Sequence, residues 1–132
     1  MESATQLGAA LPFFPAVGLL LGALIAAGDW ALRPLLAPTV TSALCVVALV
    51  VLSGALHLDG LVDTCDALAL DAAPATRLQL MRDSRARDPG ALAASLLLLG
   101  KFAAIVLLPE AIRTSALLLA PLVGRWANVA AY

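Results

Sequence analysis

The stretch Cys45–Leu68, CVVALVVLSGALHLDGLVDTCDAL, changes character halfway. Its first half is an apolar run of the kind that crosses a bilayer. Its second half carries His57, Asp59, Asp63 and Asp66. The composition around it is as lopsided: 62% of the 132 residues are hydrophobic, 13% are charged, and the mean hydropathy is +0.98. A soluble domain is about half apolar and a quarter charged. The excess assigns the chain to the integral membrane proteins.

Four segments have the roughly 20 mostly apolar residues that a spanning helix needs. They run from about Ala9 to Gly28, Leu35 to Leu56, Ala91 to Leu108 and Ala111 to Ala131, the last interrupted by Pro121 and Gly124-Arg125. Backbone groups in lipid must bond within their own segment or within a closed barrel. The alternating short segments of a barrel are missing, so the predicted fold is all-α: a polytopic membrane helix bundle of about four spans. Residues 1–132 read as a single membrane domain, with room for a longer one. Gly18 and Gly22 form a GxxxG pattern in the first span, a pattern that marks close helix contacts. MESATQL has no basic residue before the first apolar run, unlike a signal peptide. Cys45 and Cys65 lack metal-binding spacing, and Cys45 reads as a small buried apolar residue.

The connections between spans are unequal. Asp29–Pro34 and Pro109–Glu110 read as short turns, whereas His57–Gly90 is 34 residues long and holds six of the nine acids and four of the eight basic residues. The positive-inside rule places this acidic and basic connection, and the N-terminus, in the cytoplasm.

Asp59, Asp63 and Asp66 are spaced i, i+4, i+7, which puts three carboxylates on one helix face. Unpaired like charges at that spacing repel. A divalent cation removes the repulsion, and all-oxygen ligands suit Mg²⁺ or Mn²⁺. The plainer reading is a solvated helix face. Such a face mixes Lys and Glu with Asp, but neither occurs from Ser53 to Thr76. His57 reads equally well as a hydrogen-bonded structural residue and as a functional one. Downstream, LMRDSRARDPG (Leu80–Gly90) groups Arg82, Arg85 and Arg87 around Asp83, Ser84 and Asp88. Arginine forks match phosphate oxygens, although a basic flank can also simply orient the next span. A cation site and an arginine cluster in one connection are the ingredients of phosphoryl transfer. Arg125 and Lys101 sit within apolar spans, where a charge is costly and usually functional or paired. For Lys101, pairing or snorkelling is as good an account as contact with substrate.

FPAVGLLLG (Phe14–Gly22), HLDGLVDTCDAL (His57–Leu68), MRDSR (Met81–Arg85) and GRWA (Gly124–Ala127) resemble, in order and spacing, the motifs of cobalamin synthase, the adenosylcobinamide-GDP ribazoletransferase family. The resemblance covers nearly the whole chain but about half the family's usual length. It implies a bacterial inner-membrane, multi-pass enzyme of cobalamin assembly. In that reaction a hydroxyl of α-ribazole or its 5′-phosphate attacks the phosphate next to cobinamide in adenosylcobinamide-GDP, GMP leaves, and Mg²⁺ is required. By that resemblance Asp59, Asp63 and Asp66 are the metal ligands, and one of them or His57 takes the proton from the hydroxyl. Arg82, Asp83, Ser84, Arg85 and Arg125 bind substrate. The implied partners are these two substrates and the lipid bilayer; no nucleic acid is expected, and a homo-oligomer is left open. Ala67 and Ala86-Arg87 depart from the family pattern, which has glycine after the third aspartate and an apolar residue with glycine after MRDSR. The alternatives are a CDP-alcohol-type phosphotransferase, whose motif fits Leu61-Val62-Asp63-Thr64 poorly, and a non-catalytic or truncated membrane homologue. A transporter would place its acids mid-span at broken helices.

Overall fold

A computed structural model describes residues 13–69 and 88–130. They form five α-helices: α1 Phe14–Leu32, α2 Pro38–Leu52, α3 Leu56–Leu68, α4 Asp88–Val106 and α5 Glu110–Ala130. There is no strand among the described residues. The all-α expectation holds, and the span count needs correction. Among the described residues two helices, α1 and α4, are long and apolar enough to cross a membrane, or up to three spans if the bent pair α2 and α3 is one broken span. The fourth expected span is one continuous helix, α5. It falls outside that set because Glu110, Arg113 and Arg125 dilute its apolar residues.

Chain contacts divide the molecule into two compact units. One comprises α1, α2 as far as Leu49, and α5; the other comprises the end of α2, α3, and α4 as far as Ala104.

In the first unit α1 packs along α5. The buried residues of α1 are Gly18, Gly22, Ile25, Ala26 and Asp29, one stripe at helical spacing. Leu19, Leu20, Leu24 and Trp30 lie outside that stripe and are exposed. Small residues inside and large apolar ones outside are the arrangement of a helix that faces lipid. The GxxxG expectation is borne out at the α1–α5 contact. A Cβ on Gly22 would collide with the Leu118 carbonyl oxygen, and one on Gly18 would lie 2.7 Å from that of Pro121. Ile25 and Ala26 join Cys45 of α2 and Leu117 of α5 in a small core, with Ala48, Leu49 and Ile105 packed on it.

The second expected span is interrupted. α2 stops at Leu52, where Gly54 (φ 68°) and Ala55 (φ 57°) turn left-handed and their amides return to Val51 and Val50. Two successive left-handed residues cannot continue a right-handed helix. Ala55 then heads α3 without any side-chain cap.

Candidate functional site

The i, i+4, i+7 aspartates do fall on one helix, α3. Between Leu56 and Leu68 the aspartates recur at four- and three-residue spacing, so one side of the helix stays hydrophilic. Asp59 occupies the first turn, where a carboxylate complements the positive end of the helix. Going along the face, Asp59 is exposed, Asp63 half-buried and Asp66 buried at 8% exposure. His57 is exposed, one residue into the helix. Thr64 spends its hydroxyl on the Gly60 carbonyl at 2.6 Å.

Asp66 is the most constrained of the three. Its Oδ1 accepts a 2.7 Å hydrogen bond from the Gly90 amide in the first turn of α4. No group of three His, Cys, Asp or Glu residues among the described ones is placed to hold a metal ion. Mg²⁺ does not need three protein ligands: it keeps several waters and binds through one or two carboxylates plus substrate phosphates. The donors on α3 are all oxygen, the donor chemistry that a cation of that class takes. Arg82, Asp83, Ser84 and Arg85 lie outside the described residues, as do Ala86 and Arg87. Arg125 is on α5, half-buried, with its stem against α1: a Cβ on Gly18 would lie 3.0 Å from its Cγ. Lys101 is half-buried on α4.

The first unit contains a second polar cluster that the sequence reading missed. Asp29 was expected in a turn, but α1 runs on to Leu32 and buries it at 2% exposure. Arg113 of α5, 3% exposed, grips that carboxylate: Nε donates to both oxygens at 3.2 and 3.1 Å, and Nη2 donates to Oδ1 at 2.8 Å. Arg113 also donates to the Ser42 hydroxyl at 3.0 Å and the Ile105 carbonyl at 2.8 Å. Arg33 adds a second ion pair to Asp29 and one to Glu110, and the Cys45 thiol donates to Asp29 at 3.7 Å. The burial expected of Cys45 is observed. Two opposite charges at the ends of apolar segments, Asp29 and Arg113, were the available signal, because buried charges in such segments pair. Placing Asp29 in a turn hid the pair.

Comparison with known proteins agrees with the motifs. Residues 1–132 match the family described as cobalamin-5-phosphate synthase. The chain is similar to the adenosylcobinamide-GDP ribazoletransferase of Stutzerimonas stutzeri, 40% identical over 136 residues, covering 100% of this chain and 54% of that protein. It is similar also to the ribazoletransferases of Pseudomonas fluorescens, 42% identical (95% and 51% covered), and Geotalea daltonii, 40% identical (94% and 50% covered). The chain thus spans about half the length of the curated relatives it matches. No solved structure matches. With the motifs in place, the family match over residues 1–132 and relatives about 40% identical, the chain belongs to the cobalamin-5-phosphate synthase family.

Proposed function

We propose that this chain carries the cation- and phosphate-handling part of an adenosylcobinamide-GDP ribazoletransferase, a phosphotransferase of the bacterial inner membrane. The observation that supports this most is the face of α3, where Asp59, Asp63 and Asp66 supply three carboxylates in two turns without a lysine or glutamate among them. These aspartates would hold Mg²⁺, which supplies Lewis-acid neutralisation of the diphosphate. Asp59 or His57, both exposed, would accept the proton of the attacking ribazole hydroxyl, which then bonds to the phosphorus next to cobinamide. GMP departs with the electron pair of the broken phosphoanhydride bond. Arg82 and Arg85 would neutralise diphosphate oxygens, with Asp83 and Ser84 completing the substrate contacts, and Arg125 would contact substrate from α5. The long connection would lie on the cytoplasmic side, where the positive-inside rule puts its four arginines.

The test is GMP release from adenosylcobinamide-GDP by membranes containing this chain, with α-ribazole phosphate and Mg²⁺. Asp63→Ala is expected to lower the rate by about 100-fold or more, since a lost metal contact removes several kcal/mol of charge stabilisation. EDTA is expected to stop the reaction and added Mg²⁺ to restore it. Release that Asp63→Ala leaves unchanged would overturn the assignment of α3.

A further inference from the structure

Helix α4 begins at Asp88, and the first amides of a helix have no acceptor within it. Pro89 has no N–H to satisfy. The next amide, of Gly90, finds its acceptor outside the helix: Asp66 Oδ1, 24 residues earlier in the chain, in a buried 2.7 Å hydrogen bond. The contact requires a glycine. A Cβ at position 90 would lie 2.6 Å from the Val62 carbonyl oxygen and 2.9 Å from Asp66 Cγ. The first of these is backbone within a helix and cannot swing aside. At Gly100, on the same helix, a Cβ would meet nothing within 4 Å. The close approach is therefore local to the start of α4, where it meets the Val62–Asp66 turn of α3.

We infer that Gly90 is a positioning residue: its amide, brought in by the missing side chain, fixes the Asp66 carboxylate for cation binding on α3. This rests on the reading of α3 as the cation-binding helix. A buried carboxylate with one oxygen held by a backbone donor keeps a single rotamer. Partners that hold a ligand this way are typically worth about 10–100-fold in metal affinity. Gly90 touches neither cation nor substrate in this account and acts only through Asp66.

Two readouts test it on the whole chain in lipid nanodiscs: Mn²⁺ titration by electron paramagnetic resonance, and amide hydrogen exchange over residues 88–95. Gly90→Ala is expected to weaken Mn²⁺ binding about tenfold or more and to speed exchange in that segment. Asp66→Asn keeps an acceptor oxygen, so exchange stays slow while Mn²⁺ affinity falls; Asp66→Ala loses both. Gly100→Ala changes neither. If Gly90→Ala lowers thermal stability but binds Mn²⁺ like the unaltered chain, Gly90 is only a packing residue and the inference fails alone. If the unaltered chain binds no Mn²⁺, the cation reading of α3 fails and the inference with it. Should Gly90→Ala not fold, the two Asp66 variants decide, because equal exchange in both rules out the hydrogen bond as the tie.

Discussion

At the scale of single residues, the first unit depends on Asp29 and Arg113. Each is almost fully buried, and each satisfies the other. Breaking a buried pair by removing one partner costs about 3–5 kcal/mol, because it strands the other charge; replacing both with apolar groups often costs little. Arg33 still pairs with Asp29 when Arg113 is lost, so Arg113→Met is expected to destabilise the chain by about 2–3 kcal/mol, below that full cost, in a denaturant titration in mixed micelles, and Asp29→Leu/Arg113→Met to recover most of the loss. A double variant no better than the single would mean that the Ser42 and Ile105 contacts carry the effect. The pair escaped sequence reading because its members lie 84 residues apart, beyond any local spacing rule. Asp66 shows the reverse: its place on a helical face was legible from i, i+4, i+7 spacing, but its partner was not. The glycines that drew notice were those absent beside it, at Ala67 and Arg87, rather than Gly90, which is present.

At the scale of elements, helix type and approximate extent followed from apolar run length, and a close helix contact on α1 followed from Gly18 and Gly22, though not that α5 makes it. The break between α2 and α3 did not. Apolarity continues through Ser53-Gly54-Ala55, so a hydropathy reading passes over it. The dihedral angles do not: Ala55 is the one non-glycine with positive φ among the described residues. A non-glycine in that region is strained by about 1 kcal/mol, and glycine is not. Two substitutions at this break should then act with opposite signs. Ala55→Gly is expected to raise stability by up to about 1 kcal/mol. Gly54→Ala is expected to lower it by a similar amount. A Cβ at 54 would have open space apart from Leu56 Cγ at 4.0 Å, so strain and not collision sets the sign. The same micelle titration reads both. A loss for Ala55→Gly would show that the extra freedom it gives the unfolded chain outweighs the strain it removes.

At the scale of the whole molecule, the class was legible from composition alone, since no soluble core absorbs so large an apolar fraction. The number of spans was legible only approximately, because run length alone passes over the charges that lower the hydropathy of α5 and over the bend between α2 and α3. The proposed cytoplasmic placement of α3 can be checked with a cysteine at exposed Thr64 in a chain carrying Cys65→Ser. A membrane-impermeant maleimide is expected to label it in inverted vesicles and not in spheroplasts; Cys45, buried, serves as the unreactive internal control. The opposite pattern would reverse the orientation. The Asp29–Arg113 pair also bears on how the chain is made. The ribosome delivers the carboxylate and the partly exposed Arg33 together, but the buried counter-charge Arg113 only 84 residues later. Until α5 emerges, Asp29 in the last turn of α1 has Arg33 alone and lacks the buried partner that holds both its oxygens, which lipid disfavours. Nascent chains halted before residue 113 should therefore remain at the insertion machinery or be destroyed by membrane quality-control proteases, while chains long enough to present Arg113 should be released and persist.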